Sequence, residues 1–142
     1  MNVTGKKFGH PDTLLAEFDH WVVLLRPAQV TLGSLVLLCT DEAGRFGDIS
    51  PDASSELKVA TSRIEEVLGS AFAYDRINYL MLMMVDPDVH FHVIPRYEAA
   101  REYHGQTLGD AAWPGPPDVT SKLDLPDSVF QALLSDLRAR FA

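Results

Sequence analysis

Two short stretches of the chain are apolar at nearly every position, which is the pattern of strands buried on both faces. They span residues 21–25 and 34–39. The segment between them, residues 26–33, contains Pro27 and Gly33, which favour a reversal of the chain. The pattern therefore predicts a hairpin of two buried strands.

A helical period governs two longer segments. Ser50-Pro51-Asp52 has the features of a helix start, because serine caps free N–H groups, proline fits the first turn and aspartate favours the positive end of the dipole. A second helix is predicted over residues 127–141. The first helix is expected to end at Gly69 and to cover one face of the sheet. Its apolar stripe consists of Leu57, Ala60, Ile64, Val67 and Leu68.

Two further strands are predicted on either side of a turn at Asp86-Pro87. Residues 77–85 form an apolar run that indicates a central strand, and residues 88–94 alternate between polar and apolar positions. Beyond Tyr97 the chain is rich in loop-forming residues until the last helix. Residues 1–12 are expected to form a loose arm.

The size and charge of the chain limit its possible functions. A length of 142 residues fits one domain, and 46% hydrophobic with 23% charged residues is typical of a globular protein. The formal net charge of −8 argues against nucleic acid as a partner, because such surfaces need clustered lysines and arginines. An anionic substrate must then be bound by individual arginines, such as Arg26, Arg45, Arg96 or Arg101.

The single cysteine, Cys39, lies in an apolar run, so we expect a small buried residue there rather than a reactive thiol. The first ten residues lack the apolar stretch of a signal peptide, and no run approaches the roughly 18 apolar residues of a membrane span. We therefore expect a cytoplasmic protein with no membrane partner.

Residues 88–94 carry the candidate chemistry. Because side chains alternate along a strand, Asp88, His90 and His92 share one face, and the residues between them face the core. At roughly 3.3 Å per residue, the two histidines lie about 6–7 Å apart along the strand, so both reach one phosphate-sized group. Two of the five histidines of the chain stand in this one segment.

Three chemistries are open to this pair. Imidazole acts as a nucleophile on phosphorus and divides one difficult step into two easier ones. His90 and His92 together with Asp88 also form a three-ligand set for a metal ion. General acid–base catalysis is the third possibility.

The segment Asp88-Val89-His90-Phe91-His92-Val93-Ile94-Pro95-Arg96 resembles the signature of the histidine triad (HIT) superfamily, His-φ-His-φ-His-φ-φ with φ apolar. Its Pro-Arg continuation resembles the branch that contains the fragile histidine triad diadenosine polyphosphate hydrolases. The similarity covers residues 18–97, including the hairpin, the lead-in to the long helix at residues 45–52, and Asn78, which stands where a family asparagine precedes the triad.

The resemblance implies a single α+β domain: an antiparallel sheet of about five strands, one long helix packed on it, and a C-terminal helix within an extension at residues 98–142. It implies a homodimer that binds a purine nucleotide or nucleotide conjugate, with no protein-bound metal or other cofactor. Cleavage at the α-phosphate then passes through a nucleotidyl-histidine on His90, while His92 holds the phosphate.

Two departures from the family pattern change the expected site. Asp88 replaces the first histidine, and its charge repels a phosphate unless the carboxyl group is protonated, turned away or paired with an arginine. The loop at residues 83–87 lacks the glycines and the Gln or Ser donor that are typical of the family. Asp88 is therefore expected to orient or tune the two histidines.

The leading hypothesis is a nucleotide hydrolase or nucleotidyl transferase that acts on a dinucleoside polyphosphate or a nucleoside phosphoramidate. Its catalytic residues are His90, His92 and Asp88. One alternative is a weakly catalytic nucleotide-binding dimer that serves as a sensor or interaction protein, and another is an Asp/His/His metal site. The residues expected to bind substrate are Asn78, Leu24, Leu25, Arg26 and Arg96.

Overall fold

The computed structural model describes all 142 residues, and its centre is one antiparallel β-sheet. The predicted hairpin is present, with β2 (Trp21–Leu25) paired to β3 (Leu35–Cys39). The spatial order is β1-β2-β3-β5-β4, where β1 is Leu14–Glu17, β4 is Arg76–Leu80 and β5 is His90–Arg96. Every pairing is antiparallel, so the predicted α+β class with a five-stranded sheet is confirmed.

One face of the sheet is covered by the long helix α2 (Pro51–Phe72). The Ser50 side chain accepts a hydrogen bond at its start, as the sequence predicts. The helix passes Gly69 and ends at Phe72, because Phe72 continues the buried stripe and Ala73 adopts the left-handed conformation that closes the last turn, with φ 49°. Its buried side chains join those of β2 and β3 in the main hydrophobic cluster.

The strand predicted at the centre of the sheet is an edge strand instead. Strand β4 ends at Leu80 and has a single neighbour in the sheet, β5. The chain then leaves the sheet, and Leu82, Met84 and Val85 are exposed. The apolar run predicted burial, but an edge strand has one open side with no neighbouring strand to cover it.

Part of the region predicted to be irregular forms a second, two-stranded sheet. Its strands are β6 (Arg101–Tyr103) and β7 (Gln106–Leu108). His104 and Gly105 form the turn, with φ values of 45° and 77°. A tight hairpin favours positive values at both central positions. The hairpin was not predicted, because strands of three residues carry too little alternation to be recognised.

The final helix, α3 (Asp127–Phe141), has the predicted bounds. Its residues Leu133, Leu137 and Phe141 join the main hydrophobic cluster, whereas Phe130 is only partly covered. None of the helices has both the length and the apolarity needed to cross a membrane.

The N-terminal arm is folded rather than loose. Val3–Lys7 forms a short helix, α1, and the Asn2 side chain caps its first turn. The following Phe8 packs on the sheet face opposite α2, against a second, smaller apolar cluster. Distant contacts hold this segment in place, so no local periodicity predicts it. The buried members of the smaller cluster are Val22, Leu24, Val36 and Leu38.

Candidate active site

The two histidines of β5 lie together on the sheet face opposite α2. Strand pairing places His90 opposite Leu38 and His92 opposite Val36. The imidazole ring centroids are 5.1 Å apart and the rings are nearly perpendicular, at 82°. Only 2% of His90 and 8% of His92 is exposed. The pair predicted for one face is therefore present, but it is covered rather than open to solvent.

His90 is held so that one ring nitrogen carries a lone pair. Its Nδ1 lies 2.7 Å from the carbonyl oxygen of Asp88. Because a carbonyl oxygen only accepts hydrogen bonds, Nδ1 must carry the proton. Nε2 of the neutral ring then has the lone pair and is available as a nucleophile or a base.

His92 has its proton on the opposite nitrogen. The Nε–H of Arg26 donates to Nδ1 of His92 over 3.3 Å, and a guanidinium only donates, so the proton of the neutral His92 ring is on Nε2. Burial, and after it the charge of Arg26, lowers the pKa of His92 to about 4. At neutral pH the ring is therefore an uncharged N–H donor beside the lone pair of His90.

The carboxylate of Asp88 is engaged by α1 rather than by the histidines. Its Oδ2 accepts from the Thr4 hydroxyl at 2.8 Å and from the Thr4 N–H at 3.3 Å, and the Asp88 N–H donates to the Thr4 hydroxyl at 3.3 Å. The carboxylate of Asp88 is thus turned toward Thr4, and no arginine is paired with it.

The same pairing bears on the metal-site alternative. With its carboxylate oxygen bonded to Thr4, Asp88 does not join His90 and His92 in a ligand set. No group of three or more His, Cys, Asp or Glu side chains in the structure is placed to hold a metal ion. The three-ligand arrangement of the metal-site alternative is not formed.

Phe8 closes the space in front of the histidine pair. Its ring centroid is 5.9 Å from that of His90 and 5.8 Å from that of His92. The neighbouring Lys7 bonds Asp86 at 2.7 Å, which ties α1 to the loop that precedes β5. In this conformation a ligand reaches the pair only if residues 1–8 shift.

Two of the residues expected to bind substrate belong to a separate polar cluster. Arg96 forms a two-point ion pair with Asp110, at 2.7 and 3.2 Å, and donates to the Asn78 side chain at 2.9 Å. The side chains of Arg96 and Asp110 are almost wholly buried, at 4% and 3% exposed. Arg96 thus bonds both Asn78 and the C-terminal extension, and neither Arg96 nor Asn78 bonds the histidine pair.

The remaining expected substrate ligands lie on different faces. Leu24 is on the histidine face, in the cluster that contacts Phe8. Leu25 is on the α2 face, in the main core, because consecutive residues of a strand point in opposite directions. Leu25 therefore does not line the histidine site. Arg26 is buried and contacts His92.

Sequence reasoning missed the residues that cover the site. Thr4 and Asp88 are 84 positions apart, and the Val119 carbonyl accepts from Arg26 across 93 positions. No local pattern records such contacts. The one available signal was Asn2, a residue that favours helix starts and that could have indicated α1.

Comparisons with known proteins identify relatives of this fold. A histidine triad protein from Bradyrhizobium japonicum is 22% identical with a TM-score of 0.76, aligned over 100% of this chain and 97% of its own. Another histidine triad protein, from Sinorhizobium meliloti, is 18% identical with a TM-score of 0.75, over 99% and 95%. A third, from Marinobacter aquaeolei, is 21% identical with a TM-score of 0.72, over 90% and 87%.

No curated protein matches the chain significantly in sequence. The structural similarities are below 25% identity and support the fold alone. The family is shown by a different comparison, in which the model of the HIT domain matches residues 7–99, more than half of the chain. The chain belongs to the HIT domain family.

Proposed function

We propose that this protein is a nucleotide hydrolase or nucleotidyl transferase that cleaves at the α-phosphate of a nucleotide conjugate, either a dinucleoside polyphosphate or a nucleoside phosphoramidate. The observation that carries the proposal is the hydrogen bond that orients His90. The Asp88 carbonyl accepts from Nδ1–H at 2.7 Å, so the lone pair of the neutral ring is on Nε2. A histidine held in this way attacks without a separate base.

The reaction proceeds in two displacements at phosphorus. Nε2 of His90 attacks the α-phosphorus and forms a P–N bond, while the bond to the leaving group breaks and its electron pair departs with that group. A water molecule, or another acceptor in a transferase, then attacks phosphorus and releases its proton to solvent or to the departed leaving group, and the electron pair of the P–N bond returns to Nε2. The Nε2–H of His92 donates to a phosphate oxygen and stabilises the developing charge.

Asp88 serves this reaction through its main chain. Its carbonyl oxygen orients His90, and its carboxylate binds Thr4. Substrate entry requires displacement of Phe8, which would uncover the apolar surface of Leu24 and the neighbouring strand residues. Such a surface suits a flat nucleobase.

The test is to trap the intermediate. The protein is mixed with diadenosine polyphosphates or adenosine phosphoramidate, quenched in acid-free conditions, and digested for mass spectrometry. We expect an adenylyl group on the peptide that contains His90 and no turnover by His90→Asn. The matched control is His104→Asn, because His104 is exposed and has the left-handed φ of 45° that asparagine tolerates. Full hydrolysis by His90→Asn would overturn the proposal.

A second function is favoured by the altered triad. The Asp88 carboxylate, at the position of the first triad histidine, is bonded to Thr4 rather than directed to the other two histidines, which suits a protein that binds a nucleotide as a sensor or interaction module without turning it over. Calorimetry with AMP, paired with the turnover assay, separates the two functions. Binding of AMP without hydrolysis of any conjugate would favour this second function.

We also propose that the protein is a homodimer through the edge strand β4. That edge has no partner strand within the chain, and the loop after it exposes 45% of Leu82, 85% of Met84 and 81% of Val85. Exposed apolar groups beside an open edge favour association. Sedimentation velocity should give a dimer, and the double variant M84E/V85E should give a monomer. Val59→Glu, which charges an exposed valine of α2, should remain a dimer.

A further inference from the structure

The guanidinium of Arg26 is bonded to other groups of the protein, whereas a residue that binds substrate would have donors free for it. It follows β2, and 9% of it is exposed. Its guanidinium donates to the Ala28 carbonyl, to the Val119 carbonyl at 3.0 Å and to the His92 imidazole at 3.3 Å. A buried cation bonded on three sides is a fixed part of the fold, and one of its three partners is a site histidine.

The turn that carries Arg26 is braced from within. The Gln29 side-chain amide donates to the carbonyls of Arg26 and Ser34, and its oxygen accepts from the N–H groups of Gly33 and Ser34. Gly33 has a φ of 86°, and a Cβ there would lie 2.9 Å from the Phe72 ring, so the turn requires glycine. The guanidinium therefore starts from a backbone with one well-defined conformation.

A second brace comes from the C-terminal extension. The Val119 carbonyl accepts from Arg26, and the Leu123 N–H donates to the Gln29 carbonyl at 2.7 Å. Residues 119–123 thus bind the turn at two points. The part of the chain that matches the family ends at residue 99, so this brace lies outside the matched region.

We propose that Arg26 is a positioning residue that fixes the proton of His92 on Nε2 and keeps the ring neutral, and that residues 119–123 hold Arg26 in place. The catalytic consequence rests on the proposed function, because it assumes that His92 donates to a phosphate. The state of the His92 ring is a property of the protein without ligand, so it is tested separately.

The charges around His92 support this role. Burial is the largest effect that disfavours protonation of the ring; of the neighbouring groups, Arg26, His90 and Lys7 also disfavour it, whereas Asp86 favours it. Among the charged groups, Arg26 lowers the pKa of His92 the most. Without it, the ring loses both the donor to Nδ1 and the main charge that opposes a second proton, so either tautomer becomes accessible and the pKa rises.

The experiment uses protein labelled with ¹⁵N-histidine and long-range ¹⁵N–¹H spectra recorded from pH 5 to 8. In the wild type, we expect His92 to show the Nε2–H tautomer throughout and not to titrate. In Arg26→Gln, the His92 signals should show mixed tautomers and begin to titrate within this range. Arg26→Lys retains the charge and a donor and should restore much of the wild-type spectrum.

Arg45→Gln is the matched control, because Arg45 is an exposed arginine paired with Asp48. Its His92 signals should be those of the wild type. A wild-type His92 with its proton on Nδ1, or one that titrates near 6.5, would overturn the proposal even if Arg26→Gln fails to fold. An unchanged His92 spectrum in a folded Arg26→Gln would overturn it as well.

A kinetic measurement on Arg26→Gln distinguishes the role of Arg26 from the proposed function. If the protein hydrolyses nucleotide conjugates, Arg26→Gln should lower kcat by up to roughly 10²-fold with little change in KM, as for loss of an aligned donor to the transition state. If no conjugate is hydrolysed, the proposed function fails, while the spectra still decide the role of Arg26.

Discussion

The two faces of the sheet are covered in different ways. On the α2 face, one amphipathic helix buries apolar side chains such as Ile64 and Leu68 against the strands. On the histidine face, a helix of only five residues and part of the C-terminal extension cover polar side chains. There, Asp88 and Arg26 are bonded to residues 84 and 93 positions away.

This difference has consequences for stability. Apolar burial is non-directional and scales with the area removed from water, so the α2 face tolerates small shifts. Hydrogen bonds between buried polar groups are directional, and a group that loses its partner costs about 1–3 kcal/mol. We therefore expect the histidine face to open more readily than the α2 face, which places the candidate chemistry on the less stable side.

The largest loss of stability is expected from a substitution that leaves a cavity on the α2 face. Leu68→Ala removes a fully buried side chain and should lower the free energy of unfolding by about 2–5 kcal/mol, measured by urea denaturation. In native buffer the reactivity of His90 toward diethyl pyrocarbonate should not change. Val59→Ala, at a position that is 56% exposed, is the control and should be nearly neutral. A strong rise in His90 labelling in Leu68→Ala would show that the two faces are coupled.

A smaller effect is expected from the bonds that close the histidine face. Thr4→Val removes the hydroxyl that donates to Asp88 and should destabilise the closed arm by about 1–2 kcal/mol. His90 labelling, followed by mass spectrometry, should then become roughly 5–30-fold faster. Thr61→Val removes a hydroxyl that bonds only the α2 backbone and should leave the labelling rate unchanged. Equal rates in both variants would mean that Thr4 does not close the site.

The pH dependence of stability reports on His92. Its folded-state pKa of about 4 lies below the ordinary 6.5, so the unfolded chain takes up a proton that the folded protein does not. This contribution to stability is complete above pH 6.5 and is lost as the pH falls toward 4. We expect a loss on the order of 1–2 kcal/mol, after allowance for solvent screening, when unfolding is compared at pH 7 and 4.5.

His92→Gln removes the titrating group and should flatten that part of the pH profile. His104→Asn changes an exposed histidine and should keep the wild-type slope. If His92→Gln has the same slope as the wild type, the His92 ring is not held neutral by the fold.

The smallest effect is expected from the surface ion pair of the arm. Lys7→Gln breaks the bond to Asp86, but the Lys7 side chain is 52% exposed, so the loss should be about 0.5 kcal/mol and should vanish in high salt. Lys6→Gln removes an exposed lysine of the same helix that has no ion-pair partner and should have no effect. A loss near 2 kcal/mol for Lys7→Gln would mean that charge, rather than the Thr4–Asp88 bonds, closes the site.

Sequence periodicity predicted the elements that depend on local order. The bounds of β2 and α3 agree with the structure, and α2 differs only at its C-terminal end, where Phe72 prolongs the buried stripe. The prediction of a central strand at residues 77–85 was wrong, because hydrophobicity does not report the number of neighbours a strand has. The resemblance to the histidine triad family correctly predicted the five-stranded sheet and the long helix, and the family model confirms the membership.

By itself, the sequence determined that His90 and His92 share one face of a strand, because side-chain direction follows a period of two along the chain. Only the tertiary structure decided what surrounds them. Thr4, Phe8 and Arg26 reach the histidine segment from far away in the sequence, and no pattern in one segment records the partners that another segment supplies. Arg26 fixes which ring nitrogen of His92 carries the proton, and Thr4 and Phe8 decide whether a ligand reaches the pair.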